Sequence, residues 1–451
     1  MGSALDDISE WEAELSRGGA SAGHYKTAAR SGSFEAEGRE IHLGASHVHR
    51  LFTSYGANLA QYACQKLCVK LGASAFMEYT DFASAPPQEF IQTDVDKREA
   101  VFANYMAQLP SLMVACTHVP SGLKIAAYAR TEGEASKFFD QLDSEIWKSN
   151  FYRGKCLYFS SDGIEFQHTP TMTWDDVILS TELKDEILLN TAEFLGTRAL
   201  HKRGILKRGM ILHGPPGTGK TSVVRALFNM LGTGATRVYL TSEAFERFSM
   251  TEFFKMAQYL LPALVVFEDL DLIGTSRRLQ RGGVIGSLLT QLDGVNKVKE
   301  PLVVVGTTND MSAVDEALAN RPSRFDRILL IPAPEPLEIH AFYKRFGGFA
   351  PTEDLVKASS GFTGSHIEET IKTATMLAER VGNGAKLEDY AMRAAGIIRK
   401  NFRSLSAAPK AAASDDRDFG GGYASPEKYF PPDRNPLEID PSLKPNARGR
   451  Y

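Results

Sequence analysis

The stretch ILHGPPGTGKTSVV, residues 211–224, limits what this chain can fold into more than any other part of the sequence. An apolar run leads into a glycine-rich turn, and a helix start follows. Residues 214–221 match the pattern G-x-x-x-x-G-K-[ST] in full, after a strand and before a helix, as the pattern requires. Glycines let the backbone wrap closely around phosphate oxygens, and the helix N-terminus adds positive potential. The stretch therefore predicts a nucleoside triphosphate site.

Two side chains of this loop have predicted roles of their own. Lys220 reaches the β- and γ-phosphates, and the Thr221 hydroxyl ligates Mg²⁺. The other loop residues are predicted to surround the phosphates: Gly214, Pro215, Pro216, Gly217, Thr218, Gly219 and Ser222.

Strands and helices alternate on both sides of the loop. The apolar strand segments are GMILHG, TRVYLTS, PALVVFEDL and PLVVVGTTN. Continuous apolar strands between helices are typical of a parallel sheet covered on both faces. Past Pro336 the strands stop, and four helical segments follow to about residue 403. The predicted fold class is α/β, a phosphate-loop parallel sheet with helices on both faces and a C-terminal helical lid.

Acidic residues follow the segment LVVF at the predicted carboxyl edge of this sheet, which is where a doubly wound fold binds its ligand. By position, Glu268 would hold the metal ion through water, and Asp269 would polarise the attacking water, with Asp271 nearby. Asn309, at the end of the next strand, would fix that water with its amide. The alternative is that the acids cap the turn that follows them.

Arg321 and Arg324, in NRPSRFDR, have two possible roles. Arginines just after a helix are often surface salt-bridge partners. Phosphoryl transfer, however, leaves charge on the equatorial oxygens, and an arginine from a neighbouring subunit that stabilises this charge contributes roughly 10³–10⁵ in rate.

The part before residue 170 has a different pattern. Residues 46–71 carry apolar residues at helical spacing, two strand-like runs and a second helix follow, and residues 155–169 read as a hairpin turning at Asp162-Gly163. We predict a small α+β domain, with no chemical signature, over residues 46–168. Residues 1–45 are predicted to be flexible, and the Pro/Gly-rich residues 405–451 to be extended, disordered or docked on a neighbour.

Composition excludes little. The net charge of −4 gives no overall electrostatic footprint for nucleic acid or an anionic membrane. Four cysteines fit a reducing compartment, and Cys64 and Cys68, one helical turn apart, are predicted to be packing residues since no second ligand pair is evident. With no apolar run long enough to span a bilayer and no apolar signal core, we expect a cytoplasmic protein without a membrane partner.

The segments GPPGTGKTS, VVFEDLD, VVVGTTND and NRPSRFDR, in this order and spacing, resemble the AAA family of ATPases within the AAA+ class. The resemblance covers about residues 171–403, roughly half the chain. It implies ATP hydrolysis with Mg²⁺ in a homo-oligomeric ring, usually a hexamer, with each nucleotide at a subunit interface. It also implies roles for particular residues: Val177 and Ile178 beside the adenine, Gly364 and Ser365 in the lid, Asn309 as sensor 1, and Arg321 and Arg324 as trans-acting arginine fingers.

Two features depart from the usual family pattern. The order Glu268-Asp269 replaces the usual Asp-Glu, as in the mitochondrial AAA proteins that move folded iron–sulfur subunits, and this leaves the division of labour between the two acids open. The lid segment GFTGSHIEE has no evident sensor-2 arginine, which resembles many members of the classical clade.

Family members commonly grip polypeptide with an aromatic loop after the second strand. The corresponding segment, EAFERFSMTEFF, offers Phe248 with Met250 behind it, although Phe248 would equally suit a core position. The arginine-rich residues 275–283 would fall at a second pore-facing loop, where they would contact an acidic peptide, nucleic acid, a neighbouring subunit or solvent.

Three functions follow from these observations. The first is a ring-forming ATPase that remodels, threads or disassembles a protein substrate chosen by its N-terminal domain. The alternatives are a nucleic-acid-associated motor or loader, which the acidic charge does not favour, and an ATP-gated scaffold with slow hydrolysis. The chain is predicted to have five parts: residues 1–45, residues 46–168, the large ATPase subdomain 169–335, the helical lid 336–404 and the tail 405–451.

Overall fold

The computed structural model describes residues 25–28, 33–36, 39–42, 46–52, 54–79, 85–120, 122–160, 163–241, 244, 250–273, 300–311, 325–382 and 384–406. Its elements fall into an N-terminal antiparallel sheet with two helices, a seven-stranded sheet that carries the glycine-rich loop 214–221, and a C-terminal group of helices.

The N-terminal part is built on a sheet of six strands. In chain order its elements are β1 Tyr25–Ala28, the hairpin β2 Ser33–Ala36 and β3 Arg39–His42, β4 Ser46–Phe52, helix α1 Ser54–Lys70, β5 Ala75–Glu78, the hairpin β6 Gln88–Asp94 and β7 Lys97–Phe102, β8 Tyr105–Gln108, β9 Leu112–Val119, β10 Gly122–Ala129 and helix α2 Glu132–Lys148. The strand order is β1-β4-β10-β9-β8-β5, and every neighbouring pair is antiparallel.

Two sequence predictions for this region differ from the structure. The helix predicted over residues 46–71 begins at Ser54, and residues 46–52 form β4, because all seven pair with β10 in a ladder that helical spacing cannot reveal. Residues 25–28, predicted to belong to a flexible segment, pair with β4 as an edge strand.

Helix α2 was predicted from its pattern, and its ends show why it forms there. The Thr131 hydroxyl accepts a hydrogen bond from the Glu134 backbone N–H at 3.3 Å and caps the first turn. Acidic residues occupy the first turn and Lys148 the last, which suits the helix dipole. The helix buries one side against the sheet through Ala135, Phe138, Phe139, Leu142 and Ile146.

The second sheet has the order β12-β11-β14-β15-β16-β13-β17. Its strands are β11 Cys156–Ser160, β12 Gly163–Gln167, β13 Lys207–His213, β14 Thr236–Leu240, β15 Ala263–Phe267, β16 Leu302–Thr308 and β17 Arg327–Leu330. The pair β11–β12 is antiparallel, and all the other neighbours are parallel. Every residue of β15 and β16 is buried, as expected of central strands in a sheet covered on both faces. The predicted α/β fold is confirmed.

The helices of the second half complete this layer and form the lid. They are α3 Thr181–Asn190, α4 Ala192–Gly196, α5 Arg198–Lys202, α6 Lys220–Leu231, α7 Met250–Leu260, α8 Leu270–Ile273, α9 Pro336–Gly347, α10 Glu353–Ala358, α11 Gly364–Val381 and α12 Glu388–Ser406. The last four enclose an apolar core of their own that includes Tyr343, Phe362 and Ile367. Within the described ranges, no helix is both long and apolar enough to cross a membrane.

The hairpin β11–β12 lies in the seven-stranded sheet, whereas the predicted domain boundary at residue 168 places it in the N-terminal domain. Strand β11 pairs in parallel with β14, with Tyr158 opposite Tyr239. Leu157 and Phe159 are fully buried in an apolar cluster that also contains residues of β14, α7 and β15. A hairpin pattern reveals that two strands pair, but it does not reveal which sheet receives them.

The same apolar cluster continues into the N-terminal part, so the two sheets share buried surface. Polar contacts reinforce the junction: the Asn150 side-chain amide donates to the Tyr259 carbonyl at 2.5 Å, and Arg153 donates to the Leu261 carbonyl at 2.9 Å and pairs with Glu300 at 2.9 Å. The N-terminal domain is thus packed on the seven-stranded sheet and its helices.

Phe159→Ala should lower the free energy of unfolding by about 3–5 kcal/mol, because it removes a buried ring that contacts Phe253 edge-on at 5.4 Å. Glu165→Ala, on the exposed side of β12, is the matched control and should have little effect. Denaturant unfolding followed by circular dichroism measures both. A loss for Phe159→Ala as small as that of the control would show that the hairpin does not pack on this sheet.

Candidate functional site

The phosphate-binding loop joins the end of β13 at His213 to the start of α6 at Lys220. Gly214, Gly217 and Gly219 all have φ between +79° and +151°, a backbone conformation that residues other than glycine rarely adopt. Space adds to this requirement, since a Cβ on Gly214 would lie 2.2 Å from the Ile331 carbonyl oxygen. Only glycine fits at these positions, and without side chains there the loop backbone can approach a phosphate closely, as phosphate binding requires.

Lys220 lies at the centre of the loop and is 7% exposed. Its ammonium donates to the carbonyls of Gly214 at 2.7 Å and Pro215 at 2.9 Å. Burial lowers the pKa of Lys220 to about 8, against the opposing effect of nearby acids. A buried ammonium held by loop carbonyls is suited to neutralise the negative charge of a phosphate.

The Thr221 hydroxyl donates to Glu268 Oε1 at 2.7 Å. This contact joins the first turn of α6 to the end of β15 and sets two hard oxygen ligands side by side. Oxygen ligands with room for water are what Mg²⁺ prefers, so the donor set fits a Mg²⁺ ion carried by a nucleotide. The metal would polarise the phosphate oxygens and neutralise their charge.

Asp269 has φ +50°, the only positive value at a non-glycine position among the described residues. Its backbone N–H donates to Thr307 Oγ1 at 3.1 Å, and the Asn309 side-chain amide donates to Asp269 Oδ1 at 3.3 Å. Burial and the neighbouring carboxylates of Glu268 and Asp271 raise the pKa of Asp269. Such backbone strain is tolerated mainly where surrounding structure enforces it, often at functional sites.

Asp271 has a role that the sequence interpretation missed. Its Oδ1 accepts from the Thr308 hydroxyl at 2.9 Å and from the Asn309 backbone N–H at 3.2 Å. It therefore positions the end of β16, and with it the amide that contacts Asp269. The sequence signal for this role is the polar run directly after β16, which faces the acids after β15.

The lid contacts the loop through the first turn of α11. The Ser365 backbone N–H donates to the Gly217 carbonyl at 3.2 Å, and a Cβ on Gly217 would lie 2.7 Å from Ser365 Oγ. Gly364 lies beside the same carbonyl, because its own Cβ would be 3.5 Å from it. Burial lowers the pKa of His366 to about 4, so its imidazole is neutral near pH 7.

Residues 176–178, near the start of the large subdomain, contact the lid and α3. Asp176 pairs with Arg345 of α9 at 2.7 Å, and the Lys184 ammonium donates to the Val177 carbonyl at 3.0 Å. The Val177 side chain is buried in the apolar cluster around α6, while Ile178 is half-buried.

The structure thus brings together the loop, both acids, Asn309 and the lid residues. Other predicted residues lie outside the described ranges: Arg321, Arg324, Phe248 and residues 275–283. Met250 is the first residue of α7, and its side chain is not among those described.

Together, the loop, the two acids and the parallel sheet define the core of a P-loop nucleoside triphosphatase. Residues 210–333 match the sequence model of the ATPase family associated with various cellular activities (AAA). The chain therefore carries an AAA-family ATPase domain, which confirms the predicted family. ATP and Mg²⁺, the cofactors of this family, are confirmed with it.

Curated relatives are similar over about half of this chain. The ATP-dependent zinc metalloprotease FtsH 2 of Salinibacter ruber (strain M8) is 30% identical over 240 residues, 47% of this chain and 34% of the relative. The protein of the same name from Thermoanaerobacter sp. (strain X514) is 29% identical over 253 residues, 51% of this chain and 49% of the relative. ATP-dependent zinc metalloprotease FtsH 1 of Thermomicrobium roseum is 31% identical over 262 residues, 52% of this chain and 39% of the relative. The matches thus cover between about a third and a half of each relative's length.

Asp269→Asn should lower ATP hydrolysis by about 10²–10⁴-fold while leaving ATP binding intact, because asparagine keeps the shape of the side chain but cannot accept a proton. Glu268→Gln is the matched comparison and should mainly raise the Mg²⁺ concentration needed for ATP hydrolysis. Phosphate release and binding of a fluorescent ATP analogue are the two measurements. Unchanged hydrolysis in Asp269→Asn would show that this acid is not the base.

Nucleotide affinity should fall about tenfold per pH unit as the pH rises above about 8. The free protein then loses the Lys220 proton, whereas bound phosphates favour the charged amine, so binding must take up a proton. Lys220→Arg keeps its charge in this range and should lose this slope, even if its affinity is lower. Titrations of a fluorescent analogue from pH 7 to pH 9.5 measure the effect, and equal slopes in both proteins would contradict it.

Proposed function

We propose that this protein is a ring-forming ATPase that couples ATP hydrolysis to the remodelling, threading or disassembly of a protein substrate. The observation that carries the proposal is the pair of acids after β15. Glu268 accepts a hydrogen bond from the Thr221 hydroxyl of the phosphate-binding loop, and Asp269 accepts one from the Asn309 side-chain amide. One acid thus faces the predicted metal ligand and the other the predicted water-orienting group, which is an arrangement for hydrolysis as well as binding.

In the proposed ring, the neighbouring subunit supplies additional positive charge for phosphoryl transfer. Hydrolysis leaves negative charge on the equatorial oxygens of the transferred phosphoryl group. Lys220, held among loop carbonyls, would face the phosphates from within the same chain. In the proposal Arg321 and Arg324 approach from the neighbouring copy, so each site is completed at a subunit interface.

The proposal of a protein substrate draws on the relatives and on the N-terminal domain. The relatives are named as ATP-dependent proteases, so their ATP-dependent work is on polypeptide. Their zinc chemistry is not carried over, because none of the ten histidines in this sequence is followed by glutamate and the His-Glu-x-x-His pattern does not occur in it. The N-terminal domain would select the substrate, and Phe248 with Met250 would grip it in the pore.

The proposed compartment is a reducing one. All four cysteines are free and buried, and Cys64 and Cys68 lie in the apolar core of the N-terminal domain. Buried free thiols support the cytoplasmic assignment made from the cysteine count.

Mixing two inactive variants tests the shared site. Asp269→Asn keeps its arginines but lacks the base, whereas the double variant Arg321→Ala/Arg324→Ala keeps the base but lacks the arginines. Each alone should be inactive, and their mixture should recover Mg²⁺-dependent ATP hydrolysis, because some interfaces then combine an intact site with intact arginines. Lys220→Ala replaces the arginine-deficient variant in the control mixture and should give no recovery.

Electron micrographs of the wild-type protein with a slowly hydrolysed ATP analogue give the accompanying structural readout. Rings with density in the central pore on addition of an unfolded protein support the proposal. A wild-type chain without Mg²⁺-dependent ATPase activity, or a mixture without recovery, would overturn it.

A further inference from the structure

Tyr239 lies on β14, on the same face of the sheet as the acid predicted to hold the metal. In the parallel ladder Tyr239 stands opposite Val266 of β15. Side chains alternate along a strand, so the face that carries Val266 also carries Glu268, two residues further on. The backbone at this point is held in register, since the Glu268 N–H donates to the Leu240 carbonyl at 3.1 Å.

The Tyr239 side chain interacts with the Glu268 carboxylate. Burial first, and then this carboxylate, raise the pKa of Tyr239. A phenol has a hydrogen to donate and a carboxylate only accepts, so the phenol is the donor in any hydrogen bond between them. Glu268 thus has two hydroxyl groups beside it: that of Thr221 on α6, which donates to it at 2.7 Å, and that of Tyr239 on the neighbouring strand.

The Tyr239 ring is held from two sides. It stacks on Tyr158 of the hairpin strand β11, with ring centroids 5.9 Å apart and an interplanar angle of 23°. Phe228 of α6 contacts it edge-on, at 6.4 Å and 87°. The hydroxyl is therefore carried on a ring with little freedom to turn away from the acid.

A hydroxyl donor beside position 268 would restrain the glutamate side chain there. This side chain is one methylene longer than the aspartate more usual at this place in the family, and it has an additional rotatable bond to restrain. A carboxylate that accepts from two fixed hydroxyls has a defined orientation, and groups that orient metal ligands in this way strengthen metal binding.

We propose that Tyr239 is a positioning residue for the metal-binding acid: its hydroxyl holds the Glu268 carboxylate against Thr221 and so sets how tightly the site retains the divalent cation of the bound nucleotide. This inference rests on the proposed ATPase function. In this inference Glu268 and Tyr239 act as an interacting pair.

Manganese binding measured by electron paramagnetic resonance tests the pair without turnover. With a slowly hydrolysed ATP analogue present, Tyr239→Phe should raise the manganese dissociation constant by about 10-fold, the lower end of the effect of removing a group that orients a metal ligand. The analogue should still bind Tyr239→Phe normally in EDTA, because the ring and its packing remain. Tyr158→Phe, which removes a hydroxyl from the other member of the same ring stack, is the matched control and should bind manganese as the wild type does.

A second background makes the test specific. In Glu268→Asp the carboxylate is one methylene further from the tyrosine, so adding Tyr239→Phe should change manganese binding no further. Unchanged manganese binding in Tyr239→Phe, or an equal loss of analogue binding with and without metal, would overturn the positioning role while leaving the ATPase function standing. A wild-type chain that binds no manganese with the analogue would overturn both.

Discussion

The close packing of the phosphate-binding loop is the constraint on which the rest of the site depends. At Gly214 and Gly217 the loop approaches other backbone and side chains so closely that a Cβ would collide. The first approach fixes the loop against the residue after β17, and the Gly214 N–H also donates to the Thr308 carbonyl at 3.3 Å. The second fixes it against the start of α11. One short loop is therefore the joint between the sheet and the lid, and phosphates bound there would contact both.

The acids at this joint differ in environment although they are close in sequence. Glu268 faces the hydroxyls of Thr221 and Tyr239, whereas Asp269, in a strained backbone conformation, faces an amide, and Asp271 is occupied with the end of β16. Hydroxyl donors leave a carboxylate able to share its remaining oxygen with a metal. A raised pKa makes a carboxylate a better proton acceptor. The two acids therefore differ in environment in the way that the two proposed roles require, whatever their order in the sequence.

The sequence predicts what is local and fails where the structure depends on a distant partner. The buried strands β13 to β16 and helix α2 follow from continuous apolar runs and from capping residues such as Thr131. Residues 46–52 carry a helical pattern but form a strand, because β10 pairs with them from more than seventy positions away. The hairpin of Tyr158 joins the second sheet for the same reason. At the site, the glycine-rich loop could be predicted residue by residue, but the contacts of Asp271 and Tyr239 depend on cross-strand register, which no local pattern contains.

That long-range pairing also links the phosphate-binding helix to the N-terminal domain. Arg237 of β14 is buried, and its guanidinium donates to the Phe228 carbonyl of α6 at 3.2 Å and to the Gly154 carbonyl at 2.9 Å. The second acceptor belongs to the segment that leaves α2 and enters the hairpin. A displacement of α6 that broke either bond would leave a buried charge short of acceptors, which is costly in a low-dielectric interior. Arg237 therefore ties helix α6 to the junction with the N-terminal domain.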